Sequence, residues 1–258
     1  MSGITDAFGP YLISFGFTDY YDGKTVLRTY SGFLLDLDER WYLCSAAHNI
    51  DHVIDIMRRG GEFSNWHIND MSNRHKGAKR WPYPFSFMDF PRFCLRDDAI
   101  GIDYSLIDLD YLTVANLKQS GTEAFGVEDI GYAKEADLWF ITGVPAEAIK
   151  QEGQRVHQQH FALRAKPLAE RPHDWEEGKS LGAAFGLLED SPNSPRPIEN
   201  IAGMSGGGVL GLYIREDQSA IVKLVGIQSS WSSTRRIVAI APIAPFIEMV
   251  LDNFRKQA

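Results

Sequence analysis

A chain of 258 residues with 44% apolar and 23% charged side chains has the make-up of a globular protein, one large domain or two small packed units, able to bury a core without staples. Its 34 acidic against 26 basic side chains give a formal net charge of −8, a field that repels phosphate backbones and argues against nucleic acid as a partner. No apolar run approaches the roughly 18 residues of a membrane span, and Met1 to Phe17 lacks the basic start and long apolar stretch of a secretory signal, so the expectation is a cytoplasmic protein with no membrane partner.

Strand signals dominate the first part of the chain. Residues 11–15 and 26–30 flank the turn formers Tyr21, Asp22, Gly23 and Lys24, a hairpin pattern. Residues 32–37 and 41–45 read as two more strands joined by Asp38, Glu39 and Arg40. From 49 to 59 the apolar positions Ile50, Val53, Ile54 and Met57 recur at helical spacing. The polar stretch 60–98, holding Trp66, His67, His75, Trp81, Pro82 and Pro84, has no clear period and reads as a long loop or insertion with some strand content. Strands are expected again at 104–107, 138–143, 158–166 and 180–188. Residues 207–213 and 220–228 form a strand pair, 236–240 another strand, and Phe246, Ile247, Met249, Val250, Leu251 and Phe254 fit a closing helix after Pro245. The pattern is all-β with a terminal helix. Cys44 and Cys94 each sit in or beside an apolar run and read as two buried thiols in a reducing compartment, with a single disulfide as the alternative.

Chemistry concentrates around Ser205, inside Gly203-Met204-Ser205-Gly206-Gly207-Gly208. A nucleophilic serine needs an exposed hydroxyl on a tight turn with backbone N–H groups facing a developing oxyanion, and glycines permit that backbone. The run also fits a plain glycine-rich turn between strands. It matches the nucleophile elbow of α/β-hydrolases as well, but there the histidine follows the serine, whereas all seven histidines here precede it. A phosphate-binding loop is unsupported because no Gly-Lys-Ser/Thr follows. His48 follows a strand and opens the helical pattern. Pairing it with His52 as a metal site lacks both a glutamate after the first histidine and a third ligand, so no metal is expected. Asp103 opens the strand-like Asp103-Tyr104-Ser105-Leu106-Ile107, where burial of Tyr104 and Leu106 would hold its carboxylate at a barrel's lip. Asp97, Asp98 and Asp108 are its rivals.

Four motifs in order carry a family resemblance. Ser45-Ala46-Ala47-His48 resembles the Thr-Ala-Ala-His of trypsin/chymotrypsin-like serine peptidases, Asp103-Tyr104-Ser105-Leu106-Ile107 their Asp-x-Ala-Leu-x, and Gly203-Met204-Ser205-Gly206-Gly207 their Gly-Asp-Ser-Gly-Gly. Val225-Gly226-Ile227-Gln228-Ser229 resembles the strand lining their substrate cleft, and the order His, Asp, Ser is theirs. The resemblance implies two antiparallel six-stranded β-barrels with a C-terminal helix, residues 1–120 carrying His48 and Asp103 and residues 121–258 carrying Ser205. It implies a serine endopeptidase of bacterial, intracellular type acting on a protein or peptide substrate without cofactor. Ser205 would be the nucleophile, His48 the base, Asp103 the orienting carboxylate, and the backbone N–H groups of Gly203 and Ser205 the oxyanion hole. Met204 replaces the family's ion-pairing aspartate, so zymogen activation by a new amino terminus is not expected. Asn49 stands where many secreted members carry cysteine. Glu199 falls where the family places the base of its specificity pocket, and Ser229, Ser230 and Trp231 along the cleft. An acid at 199 points to a basic substrate side chain, whereas Trp231 in the cleft points to small ones. The alternative is a latent or inactive protease-fold binding module; a latent protease would be activated by an unidentified partner or by binding at the 60–98 segment.

Overall fold

In this computed structural model, residues 8–21, 23–70, 82–152, 155–173, 175, 182–189 and 200–257 are described. The first half of the chain supplies β1 (Leu12–Tyr21), β2 (Lys24–Leu37), β3 (Arg40–Ser45), α1 (Ala47–Arg58), β4 (Glu62–Asp70), β5 (Tyr83–Pro84), β6 (Arg92–Asp97), β7 (Ile102–Asp108) and α2 (Tyr111–Ser120). The second half supplies β8 (Leu138–Gly143), β9 (Lys150–Glu152), β10 (Arg155–His157), β11 (Phe161–Pro167), β12 (Ala184–Leu188), β13 (Gly208–Ile214), β14 (Ala220–Ser232), β15 (Ile237–Pro242) and α3 (Ile243–Gln257). Strands β1 to β7 form an antiparallel sheet in the order β5-β4-β1-β2-β3-β7-β6, while β11-β12-β15-β14-β13-β8 close a six-stranded barrel.

The central strands β1, β2 and β3 carry long buried apolar runs because both of their faces are covered. In β2, Phe33, Leu35 and Leu37 face one core while Leu34 and Tyr30 face another. In β3, Tyr42 and Cys44 join the first core, Trp41 and Leu43 the second. The second core is the concave interior of the sheet, closed by Ile50, Val53 and Ile56 of α1. The first core lies between the halves, where Leu210, Leu224, Ile227 and Ala241 of the barrel meet Ile243, Phe246, Ile247 and Val250 of α3. The barrel has its own interior around Trp139, Ile141, Val225, Val238 and Ile240. Asp38 and Glu39 turn β2 into β3 with φ of 56° and 63°, the left-handed pair whose twist suits a two-residue hairpin.

Three expectations need correction. Among the described residues the sheet of the first half holds seven strands, where six were expected, because β4 and β5, from the segment expected to be mostly loop, add beyond β1. Phe63, Trp66 and Ile68 of β4 pack on the sheet core, but a bulge opposite Gly16–Thr18, with Asn65 at φ 54°, breaks the alternation that would have marked a strand. Helix α2 was not expected: only Leu117 and Ser120 on it are buried, and its signal lies in its ends, Asp110 accepting from the Thr113 N–H at 2.7 Å and Gly121 at φ 85°. Cys44 is buried, but Cys94 is exposed, and neither is bridged. Among the described residues no helix is long and apolar enough to cross a membrane.

Candidate active site

Helix α1 brings His48 to the seam between the halves, and β7 brings Asp103 beneath it. Ala46 at the helix N-cap has no side chain able to receive the first N–H groups. Asp103 supplies the missing acceptor from a distant strand: its Oδ1 takes the His48 backbone N–H at 3.0 Å, and its Oδ2 takes the His48 ring at Nδ1 at 2.6 Å. One carboxylate therefore caps the helix and orients the imidazole. With Nδ1–H donating, the lone pair of Nε2 faces away from the carboxylate. The ring is 29% exposed and Asp103 almost wholly buried.

A third donor reaches Asp103 from the barrel. The Ser229 hydroxyl donates to Oδ2 at 2.7 Å. In the β14–β15 ladder Gln228 opposes Ile240 and Ser230 opposes Ala239, so Ser229 is the extra residue of a bulge, which re-aims its side chain. Burial pushes the Asp103 carboxyl up, but the hydrogen bonds and charge of His48 with the hydroxyl of Ser229 outweigh it and hold the group below its ordinary value. Sequence reading placed Ser229 in the cleft and missed this bond, since only a bulge in the register reveals it.

Ser205 sits on the turn leading into β13, partly buried, and its hydroxyl donates to the Ser229 carbonyl at 3.4 Å rather than to the His48 ring. The peptide units before it are each fixed. The Ala202 carbonyl accepts from the Ala146 N–H at 2.7 Å and the Met204 carbonyl from the Gly207 N–H at 2.9 Å. In a trans peptide the N–H points opposite its carbonyl. The N–H groups of Gly203 and Ser205 are thereby turned to the other side of the loop, where they donate to none of the described residues. Gly203 has φ 92° and Gly206 φ 88°, a region open to glycine. Met204, fully buried, anchors the turn in the barrel core beside Ile201.

The first half of the chain also grips this loop. The Ser31 hydroxyl donates to the Gly203 carbonyl at 2.9 Å and accepts from the Val144 N–H at 2.9 Å. The Asn49 amide donates to the Ser205 carbonyl at 2.9 Å and to the Ser45 hydroxyl at 3.1 Å. Ser45 in turn donates to the Ser31 carbonyl at 2.8 Å. Sequence reading assigned no role to Ser31 and met Ser45 only as the first residue of the motif around His48. Their signal is faint: single serines within apolar strand runs, where an uncompensated hydroxyl is costly.

A cleft of about 730 Å³ opens beside the His48–Asp103 pair, lined among others by Trp175, Ser229, Ser230 and Trp231. Residues Ser230 to Ser232 pair with β15 on one side, while the β13 ladder ends at Ile227, so among the described residues no strand pairs with their other edge. Glu199 lies outside the described residues. Asp97 and Asp108 bond elsewhere, to the Ala99 N–H and to Arg40, and Asp98 pairs with Arg96. No cluster of metal-ligating groups occurs among the described residues, and the His52 ring faces the Tyr30 hydroxyl at 3.0 Å.

No protein-family model matches the sequence, and a search of curated proteins finds none that matches it. Among solved structures, protease Anisep from Arthrobacter nicotinovorans is 11% identical, with 90% of each chain covered and a TM-score of 0.51. A catalytically inactive tobacco etch virus protease complexed with substrate is 12% identical over 95% of this chain and 86% of that one, with a TM-score of 0.44. The likeness to Anisep, together with the closed barrel, the second sheet and the C-terminal helix, gives this chain the two-unit β fold of the chymotrypsin-like proteases.

Proposed function

We propose that the chain is a peptidase of serine type, hydrolysing peptide bonds through an acyl-enzyme. The observation that carries the reading is the His48 ring held at Nδ1 by a buried carboxylate with three hydrogen bonds, while Ser229, which bonds that carboxylate, also receives the hydroxyl of Ser205 on its glycine turn. Asp103 keeps the proton on Nδ1, so Nε2 is the basic nitrogen. Ser205 gives its proton to Nε2 as its oxygen attacks the substrate carbonyl. The oxygen of the tetrahedral adduct then lies against the N–H groups of Gly203 and Ser205. His48 passes the proton to the departing amine, and water repeats the sequence on the ester. The substrate main chain is expected to add as a strand to the edge of Ser230 to Ser232 that faces away from β15. Trp231 and Ser230 line its side-chain sites, and Glu199 would meet the residue on the acyl side of the bond. None of these steps uses a metal or organic cofactor.

A second reading, a protease-fold binding module without turnover, rests on the Ser205 hydroxyl pointing to the Ser229 carbonyl instead of the imidazole. That bond is long, at 3.4 Å, and a single rotation about the Cα–Cβ bond of Ser205 moves the oxygen to another staggered position. Nucleophile and base are often loosely aligned without substrate. A fluorophosphonate probe separates the two readings. The wild type is expected to label covalently, with labelling lost in Ser205→Ala and in His48→Ala. A folded wild type that stays unlabelled at long exposure leaves only the binding module.

A further inference from the structure

The glycine turn at 203–208 is the least self-supporting part of the candidate site. Gly203, Gly206, Gly207 and Gly208 have wide conformational freedom, and either anion-facing N–H is lost if its peptide unit rotates. Four carbonyls in succession, from Ala202 to Ser205, decide how the turn stands. Two are held within the second half, by Ala146 and Gly207. The other two, of Gly203 and Ser205, are held by side chains from the first half, Ser31 and Asn49, across sequence separations of 172 and 156 residues. These two alternate with the units that carry the anion-facing N–H groups. No such unit can rotate without disturbing a neighbour pinned to the other half.

Ser31 and Ser45 are fully buried and Asn49 is 6% exposed, beside the apolar core that the two halves share. Buried polar groups at such a place are costly unless bonded, and these three side chains are. Ser31 uses its hydroxyl both as donor and acceptor and its carbonyl as acceptor for Ser45, and Asn49 shares its amide between Ser45 and the turn. The turn is shaped to receive them: a Cβ on Gly206 would fall onto the Ser45 hydroxyl and within 2.8 Å of the Asn49 amide. Asn49 is next to His48 in the same helical turn, so one element sets both the base and the loop that faces it.

We propose that Ser31 and Asn49, braced by Ser45, are positioning residues that preset the N–H groups of Gly203 and Ser205 for an anion. The proposal rests on the serine-peptidase reading and adds what holds its oxyanion hole in place. Met204 lies in an apolar core and offers the turn no ion pair. Hydrogen bonds from the other half of the molecule take that duty, so assembly of the site follows from docking of the halves.

The test is the rate of covalent labelling by a fluorophosphonate, measured against probe concentration for wild type, Asn49→Leu and Ser31→Ala. Leucine at 49 keeps the volume and removes the donor, and alanine at 31 removes donor and acceptor without adding bulk. A misaligned oxyanion donor acts on the transition state, so the limiting rate is expected to fall about ten- to a hundredfold, with the half-saturating probe concentration unchanged. Amide hydrogen exchange at Gly206 and Gly207, whose N–H groups bond the Gln228 and Met204 carbonyls, is expected to quicken while strand β13 stays protected. Ser31→Thr, which keeps the hydroxyl, is expected to recover most of the rate. Variants that fold and label as fast as wild type overturn the clamp and leave the peptidase reading intact. A rate loss that merely tracks the fraction unfolded, read by thermal melting of the same samples, also overturns it. An unlabelled wild type removes the peptidase reading and the clamp together.

Discussion

Asp103 accepts three hydrogen bonds, two from His48 and one from Ser229, and these bind its charged form more tightly than its neutral one. Its carboxyl titrates below the ordinary value near 3.9 although burial works the other way. Because the folded value is the lower one, the native state gains stability that is fully present above about pH 4 and is lost as the pH falls through the depressed value. Removing one donor moves that loss upward. Ser229→Ala is therefore expected to begin acid unfolding at a higher pH than wild type, with a cost at neutral pH of about 1–3 kcal/mol for the bond to a charged group. Circular dichroism followed during acid titration of both proteins checks it. Coincident acid transitions would mean that the hydroxyl contributes nothing to holding the carboxylate.

Helix α1 meets the sheet through Ile50 and Val53, both fully buried against Trp41, Leu43 and Phe15, while Met57 is exposed. Ile50→Ala is expected to cost about 2–5 kcal/mol in urea unfolding, and Met57→Ala to stay within about 0.5 kcal/mol. Equal effects would mean the helix packs by another face. The spacing of those residues already marked the helix in the sequence, and the apolar runs of β2, β3, β13 and β14 marked their strands equally well. What stayed illegible has a physical cause in each case. Strand β4 lost its period to a bulge at Asn65, and α2 buries so little, with Tyr111 and Leu112 exposed, that periodicity had nothing to report. At the candidate site the motifs singled out His48 and Asp103, whose hydrogen bond the fold then supplies. Ser31 escaped notice because its partner Gly203 lies 172 residues away, a pairing that exists only once the two halves have docked.

The two halves share one core, which makes the molecule larger than the sum of its sheets. Phe33, Leu35, Tyr42, Tyr104 and Leu106 of the first half lie against Leu210, Leu224 and Ile227 of the second. Helix α3 closes over them: Phe246 stacks on Tyr104 with ring centroids 4.2 Å apart, and the Tyr104 hydroxyl bonds the Pro242 carbonyl. The connector between the halves is stitched to both, Phe125 through its N–H and carbonyl to β2 and Gly131 through its N–H to Leu224 of β14. Neither half can bury these surfaces alone, and large apolar patches left in water favour association over folding. The proposed division of the chain at residue 120 is therefore expected to be one of topology, with stability held in common. Heating the whole chain is expected to give one cooperative transition, with tryptophan fluorescence and far-ultraviolet circular dichroism melting together. A fragment ending at residue 120 is expected to bind a hydrophobic dye strongly and to show poorly dispersed amide resonances. Two separated transitions in the intact chain, or a well-dispersed spectrum from the fragment, would show that the first sheet is stable by itself. The clamp from Ser31 and Asn49 would then span two independently folding bodies, and its hold on Ser205 would depend on how often they part.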